Sequence, residues 1–159
     1  RLPGLHLAYI GDGNNVANSL LIGCARMGLN VNMATPKGYE PDRSALKWAT
    51  ENAESDAAIH LMRDPMEAVK GADVIETDVW VSMGQDKDQT QRLMDLEGFQ
   101  VNEELLSEAK PDAVVMHCLP AHRGQEITAE VLDGPKSIAW KEAEYKFHGA
   151  KGILASFLA

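Results

Sequence analysis

Disulfide bonds, membrane spans and secretion signals are what this sequence most clearly lacks. It has only two cysteines, Cys24 and Cys118, which form neither a disulfide framework nor a recognised metal-ligand spacing. A reducing, cytoplasmic setting is therefore expected. No apolar run approaches the roughly 18 residues that a membrane helix requires. The first residues are too short and too mixed for a signal peptide.

Positive charge is also scarce. The chain has 15 Lys and Arg against 24 Asp and Glu, so its formal net charge is -9. An acidic surface repels nucleic acid and anionic membranes, and neither is expected as a partner. With 159 residues, of which 45% are hydrophobic, the chain is long enough and apolar enough to bury one substantial core.

Short apolar segments alternate with longer helical patterns along the chain. Strands are predicted at residues 7–10, 31–34, 57–61, 72–75 and 113–116, and helices at residues 16–27, 44–54 and 142–158. Asp64-Pro65 marks a further helix start, with an N-cap and a proline at the first helical position. Unbroken apolar strands alternating with helices predict an α/β fold, a doubly wound, Rossmann-like parallel sheet of about five strands with helices on both faces.

Two stretches are harder to interpret. Residues 137–140 could form a short extra strand. Residues 80–98 are polar and poorly patterned, and they form either a solvated helix start or a mobile loop of the kind that covers a site.

Ligands of open parallel sheets bind beyond the carboxyl ends of the strands. Polar, glycine-containing segments follow the first, fourth and fifth predicted strands, at residues 11–15, 76–84 and 117–124. Because these strand ends share one edge, we expect the three segments to converge there.

The first segment begins with Gly11 and Gly13, which suit a tight turn from strand to helix. A dinucleotide site is disfavoured because Val16 replaces the third glycine of the usual pattern, and no acidic residue ends the second strand. Asn15 could offer its amide and a helix N-terminus to a carboxylate. Alternatively, Asn14 and Asn15 only cap the helix.

The second segment carries Asp78 directly after a buried strand, where a carboxylate needs a partner. A ligand ammonium group would serve, as would backbone amides in a purely structural role. Ser82, Met83 and Gly84 offer backbone N–H groups and a hydroxyl to a carboxylate. Combined with Asn15, this segment predicts a clamp for the head of an amino acid.

The third segment places Cys118 at the end of a strand, followed by Leu119 and Pro120. A cis Leu-Pro bond would turn the carbonyls of Cys118 and Leu119 toward a ligand. A nucleophilic Cys-His pair is disfavoured because no oxyanion hole or orienting residue is evident. A metal site of His117, Cys118 and His122 lacks a recognised spacing. We expect neither a metal nor a cofactor.

Together the segments resemble the motifs of the ornithine carbamoyltransferases. The motifs are Gly-Asp-Gly-Asn-Asn at residues 11–15, Asp-x-x-x-Ser-Met-Gly at residues 78–84 and His-Cys-Leu-Pro at residues 117–120. Their order and spacing match, residues 35–41 and 133–135 also fit, and the resemblance spans nearly the whole chain. It implies that residues 1–159 are an ornithine-binding domain.

The resemblance also implies roles for single residues. The α-amino and α-carboxylate groups of L-ornithine would be bound by Asn15, Asp78, Ser82 and Met83. Cys118 would act near the δ-amino group, and Cys118, Leu119 and Lys146 would contact carbamoyl phosphate. The reaction would be transfer of the carbamoyl group to ornithine, giving citrulline and phosphate in arginine biosynthesis or catabolism. The full-length protein would be a homotrimer or a larger oligomer.

The chain departs from the family pattern in two ways. Nothing matches the Ser-x-Thr-Arg-Thr motif of the amino-terminal, carbamoyl-phosphate-binding domain, so this chain alone is expected to make no citrulline. The last helix usually begins Glu-Ala-Glu-Asn-Arg, but residues 142–146 end in Tyr145 and Lys146. Lysine keeps the positive charge and loses the bidentate fork of arginine.

Other interpretations remain. A non-catalytic amino-acid-binding or regulatory module would keep the fold and lose the chemistry. Aspartate carbamoyltransferases have proline in place of Cys118, and putrescine has no α-substituents to need the clamp, so these two enzymes rank lower. In the family, the last helix packs on the first domain. Its apolar residues are therefore expected to be partly uncovered here, and the helix to fray or to form a dimer contact; they are Phe147, Ile153, Leu154, Phe157 and Leu158.

Overall fold

The protein is a five-stranded, all-parallel sheet with helices on both faces, as predicted. The computed structural model describes residues 2–82, 84 and 88–158. The strands are β1 (His6–Ile10), β2 (Asn30–Ala34), β3 (Ile59–Met62), β4 (Val74–Thr77) and β5 (Val114–His117). The helices are α1 (Asn15–Met27), α2 (Arg43–Glu51), α3 (Pro65–Val69), α4 (Gln89–Leu96), α5 (Glu103–Ser107), α6 (Ala129–Leu132) and α7 (Ala139–Leu158).

Each face of the sheet carries its own apolar core. On one face, α1 and α2 cover strand residues that include Tyr9, Val31 and Met33. On the other face, α3, α5, α6 and the start of α7 cover residues such as Ile10 and Ile75. Successive residues of one strand therefore pack into the cores on opposite faces of the sheet. Because both faces are buried, the strand sequences are unbroken apolar runs.

The strand order is β3-β2-β1-β4-β5, so the chain reverses its direction of growth between β1 and β4. At such a switch point the connections after the two neighbouring strands run to opposite faces of the sheet, and a crevice opens between them at the carboxyl ends of the strands. Ile10 pairs with Thr77, and Thr77 pairs with His117, so β1, β4 and β5 end in register. The Thr77 hydroxyl also donates a hydrogen bond to the Ile10 carbonyl at 2.7 Å. The loops after these strands therefore start side by side.

Most predicted elements are confirmed, and two need correction. The predicted strand at residues 137–140 is wrong: Ser137 forms only an isolated bridge with Val115, and α7 begins at Ala139. The fourth strand extends to Thr77, two residues beyond its predicted end, because its pairing with β1 continues. The described part of residues 80–98 contains α4, followed by a 3-10 turn at Glu97–Phe99.

The last helix is mostly uncovered. Ala139 is the buried residue of α7, and the helix leaves the sheet after its first turn. The predicted apolar residues are exposed by 59% to 85%; they are Phe147, Ile153, Leu154, Phe157 and Leu158. Their exposure is confirmed, whereas fraying and self-association stay predictions. Across the described ranges, no helix has the length and apolar character needed to cross a membrane.

Two leucines in long helices should respond differently to truncation. Leu21 in α1 is fully buried, and Leu154 in α7 is 59% exposed. We expect Leu21→Ala to lower the free energy of unfolding by about 2–5 kcal/mol, because it leaves a cavity in the core. Leu154→Ala should change it by less than about 0.5 kcal/mol. Guanidinium denaturation measures both, and a large loss in Leu154→Ala would mean that α7 is covered in solution.

Candidate functional site

A cavity of about 500 Å³ opens at the carboxyl ends of β1, β4 and β5. Its lining residues are Asn15, Val16, Asp78, Val79, Val81, Ser82, Cys118, Leu119, Pro120 and His122. The three segments singled out in the sequence therefore do converge. Of the residues assigned to ligands, Met83 lies outside the described residues and Lys146 contacts the cavity's rim through Cys118.

Asp78 lies at the centre of the polar contacts of this cavity. The Cys118 thiol donates a hydrogen bond to Oδ1 of Asp78 at 2.9 Å, and the Asn14 amide donates one to Oδ2 at 2.6 Å. The residue is only 6% exposed. Both partners are neutral side chains, and no lysine or arginine of the described ranges forms an ion pair with it. A buried carboxylate with neutral donors alone is suited to receive a cation.

The two asparagines at the start of α1 have different tasks. The side-chain oxygen of Asn14 accepts hydrogen bonds from the backbone N–H groups of Val16 and Ala17, at 2.9 and 3.2 Å. Asn14 thus caps the helix while its nitrogen binds Asp78. Asn15 is the first residue of α1, and it is exposed on the cavity wall. Capping therefore explains Asn14 and leaves the Asn15 amide available to a ligand.

The environment of Cys118 keeps its thiol protonated. Burial raises the pKa of Cys118, and the hydrogen bond to Asp78 and the negative charge of that group raise the pKa further, far above its usual range. Lys146 opposes this shift, and its ammonium group donates to the Cys118 carbonyl. A protonated thiol is a poor nucleophile, so the site does not favour covalent chemistry at Cys118. The Leu119-Pro120 bond that follows is cis.

His117 is a fully buried support of the cavity. Its Nδ1 accepts from the Leu119 backbone N–H at 2.9 Å, so Nε2 carries the proton and donates to Oε1 of Glu126 at 3.1 Å. Donor atoms of Asp78, His117 and Cys118 lie within 4.8 Å of one another, as a metal site would require. However, both ring nitrogens of His117 are already in hydrogen bonds, so the group does not offer a histidine ligand.

The fully buried Glu126, not foreseen in the sequence, holds the segment after β5. Besides its contact with His117, it accepts a hydrogen bond from the His122 backbone N–H at 2.5 Å. It thereby fixes both ends of residues 117–122. A glutamate beyond a turn carries no sequence signal of this role, because the contact depends on the path of the loop.

Arg92 joins the loops after β1, β2 and β4. Its guanidinium pairs with Asp12, donates to the Trp80 carbonyl at 2.7 Å and lies over the Tyr39 ring at 4.9 Å. The side chains of Arg92 and Asp12 are only 13% and 10% exposed. Burial raises the pKa of Asp12, and Arg92 counters that rise. The network holds the segment that carries Asp78 against the turn that carries Asn14.

A further carboxyl group lies behind the cavity. Glu76 is 1% exposed, and its Oε2 has no hydrogen-bond partner within the described part of the chain. Burial raises its pKa to about 9, the charges of Glu142 and Asp78 add to the rise, and Lys146 opposes it. The pKa of Glu142 is also raised, mainly by burial. The site therefore combines three carboxyl groups with one ammonium group.

A family model matches nearly the whole chain. Residues 3–157 match the model described as the Asp/Orn binding domain of aspartate/ornithine carbamoyltransferase. The ornithine carbamoyltransferase of Pyrococcus abyssi is 51% identical over 158 residues, which are 99% of this chain and 50% of the relative. That of Gloeobacter violaceus is 50% identical over 159 residues. The chain spans about half the length of the curated relatives it matches.

Solved structures of ornithine carbamoyltransferases contain a domain with the same fold as this chain. The crystal structure of ornithine carbamoyltransferase from Gloeobacter violaceus superposes with a TM-score of 0.91 at 48% identity, covering 100% of this chain and 53% of that one. The Pyrococcus furiosus enzyme superposes with a TM-score of 0.92 at 51% identity, covering 97% of this chain and 50% of that one.

The contact between Asp78 and Cys118 can be tested by thiol reactivity. We expect Asp78→Asn to speed alkylation of Cys118 by iodoacetamide at pH 8 on the order of tenfold, because loss of the negative charge lowers the pKa of the thiol and increases its thiolate fraction. Peptide mapping by mass spectrometry gives the rate for each cysteine. Cys24 serves as an internal control, since burial raises its pKa to about 11 independently of Asp78. An unchanged Cys118 rate would contradict the contact.

Proposed function

The chain belongs to the aspartate/ornithine carbamoyltransferase family, and from this we propose that it is the ornithine-binding half of an ornithine carbamoyltransferase. The observation that carries the proposal is the cavity that unites Asn15, Asp78, Ser82 and Cys118. It offers one anion and several donors side by side, which is the complement of an amino-acid head group. The names of the relatives point to ornithine as that amino acid.

The α-ammonium group of ornithine would bind Asp78, whose present partners are both neutral. The α-carboxylate would bind the Asn15 amide and the N-terminus of the 13-residue helix α1, which carries a partial positive charge. Ser82 and Met83 would complete the carboxylate site; the role of Met83 rests on the family resemblance alone. The side chain of ornithine would then extend along the apolar wall toward Cys118.

The reaction would be attack of the δ-amine on the carbonyl carbon of carbamoyl phosphate, giving citrulline and phosphate. An alkyl amine has a pKa near 10, so the site must favour its neutral form. Val79, Val81 and Leu119 line the cavity and would desolvate the ammonium group, which lowers its pKa. Alignment of two bound substrates would supply much of the remaining rate. Cys118, as a neutral thiol, would contact the δ-amino group without forming a covalent bond.

Carbamoyl phosphate would need more than this chain. The ammonium group of Lys146 contacts the Cys118 carbonyl at the rim of the cavity. With Leu119 and Cys118 it would face the carbamoyl phosphate, while a second domain would supply the phosphate site. Lysine cannot form the two parallel hydrogen bonds of arginine to a phosphate. We therefore expect Lys146 to hold this substrate by its charge and by single hydrogen bonds.

The pathway, location and oligomeric state of the whole protein are further parts of the proposal. A 51% identical relative from Pyrococcus furiosus is named an anabolic ornithine carbamoyltransferase, which supports a role in arginine biosynthesis over arginine catabolism. A cytoplasmic homotrimer or larger oligomer remains the proposed form of the whole protein. The second candidate is an amino-acid-binding module without catalysis. The lysine at position 146 favours it, since it weakens the contact with the second substrate.

Calorimetric titration with L-ornithine tests the clamp. We expect binding that weakens at least about tenfold in Asp78→Asn, because the ammonium group loses its ion pair with the Asp78 carboxylate. Asp73→Asn is the matched control. Asp73 lies just before β4, whereas Asp78 lies just after it, and Asp73 accepts hydrogen bonds from Lys110 and the His6 backbone N–H. Putrescine, which lacks the α-substituents, should bind more weakly than ornithine. Equal ornithine affinity in the two variants, or a preference for L-aspartate, would contradict the proposal.

The isolated chain should make no citrulline. Carbamoyl phosphate carries about two negative charges, and the chain has a net charge of -9, with Lys146 as the one lysine in contact with the described part of the site. We expect a colorimetric citrulline assay with both substrates in excess to stay at background, while a complete ornithine carbamoyltransferase run alongside produces citrulline. Turnover by this polypeptide that is lost in Asp78→Asn would refute the expectation.

A further inference from the structure

Glu76 is a buried acid that the proposed reaction does not use. It lies in β4, two residues before Asp78, and pairs in register with Tyr9 of β1 and Met116 of β5. It is 1% exposed, and its Oε2 has no hydrogen-bond partner among the residues that the structure describes. Burying an ionised carboxylate without a partner is costly, so such a group keeps its proton instead.

The groups around Glu76 are nearly all acids. The negative charge of Asp78, in the loop after β4, raises the pKa of Glu76, and so does the charge of Glu142 in the first turn of α7. The remaining titratable neighbours are Tyr9 of β1, Cys24 of α1 and Cys118 after β5, and each is less easily ionised because of Glu76. Lys146 of α7 is the cation that acts on Glu76, and its ammonium group is bound to the Cys118 carbonyl.

This arrangement makes the proton on Glu76 sensitive to what enters the cavity. In the empty site, with a pKa of about 9, Glu76 is protonated at neutral pH. An ammonium group bound to Asp78 would cancel one of the repulsions that keep it so. In the complex with ornithine alone, before the δ-amine loses its proton for the reaction, the δ-ammonium group near Cys118 would add an attraction to the ionised form, across a region of low dielectric.

We propose that Glu76 is a proton-linked specificity residue, which is protonated in the empty site and releases its proton to solvent when a diamino acid enters beside Asp78 and Cys118. The carboxylic acid becomes a carboxylate, and the proton leaves to the buffer. The inference rests on the proposed function, because it takes ornithine as the ligand. Ionised Glu76 favours a ligand with a second ammonium group, because a neutral ligand side chain stabilises the Glu76 carboxylate less.

Proton release can be counted by calorimetry. Ornithine is titrated at pH 8 in buffers of different ionisation enthalpy, and the change in observed heat gives the protons released. We expect up to about one proton per ornithine in the unmodified chain. L-norvaline, which has the same head group and no δ-amine, should release fewer. Glu67→Gln, on the exposed surface of α3, serves as a control and should behave like the unmodified chain.

Glu76→Gln identifies the source of the proton. The variant should still bind ornithine and lose most of the release, because glutamine is a neutral isostere of the protonated acid. Undiminished release in Glu76→Gln would assign the proton to the ligand's own δ-ammonium and overturn the inference. Binding of ornithine without release would overturn the inference and leave the proposed function standing. Absence of ornithine binding would count against both.

A measurement without ligand checks the starting state. Carbon-13 NMR of glutamate-labelled protein follows each carboxyl signal with pH. We expect one signal that titrates near pH 9 and is missing in Glu76→Gln. If every glutamate signal completes its titration below about pH 6, as unperturbed glutamates do, Glu76 is ionised in the empty site and the inference is wrong.

Discussion

The hydrogen bond between Asn14 and Asp78 ties the two halves of the sheet together at the site. Asn14 uses its oxygen to cap α1 and its nitrogen to bind Asp78, so the helix start and the loop after β4 form one unit. Asn15 reaches the cavity because Asn14 has taken the cap. Arg92 supports the same unit from outside, through Asp12 and the Trp80 carbonyl. The contact therefore couples the position of Asn15 at the start of α1 to that of Asp78.

Charge explains why the unit is stable when empty. Three carboxyl groups and a thiol share a region where the described cation is Lys146, and full ionisation would be unfavourable there. The thiol of Cys118 keeps its proton and donates it to Asp78, and Glu76 keeps a proton of its own. The site thus neutralises itself with protons in the absence of a ligand. The positive charges of a ligand's ammonium groups can take the place of these protons, so ligand binding is linked to the protonation of the site.

Much of the fold could be predicted from the sequence, because apolar runs and helix caps are local signals. The five strands, the helix at Asp64-Pro65 and the convergence of three loops all follow from such signals and from the geometry of parallel sheets. The predicted strand at residues 137–140 is wrong because the short apolar run Ile138–Trp140 has the same pattern in a strand and at a helix start. The polar helix α4 lacked a clear pattern, since only Leu96 of its residues is buried.

The supports of the site could not be predicted in the same way. Asp12 and Arg92 are 80 residues apart, and Glu126 reaches His117 across a turn, so no spacing rule connects either pair. Glu76 begins a polar segment of the sequence, and only the packed structure shows that it is a strand residue with 1% exposure. Motifs identify residues that face a ligand, because their chemistry is local to a loop. Residues that hold those loops act through tertiary contacts, and their roles become visible when the packing is known. Glu76, whose buried Oε2 has no hydrogen-bond partner in the described part of the chain, belongs to the second group, and its effect on Cys118 is electrostatic.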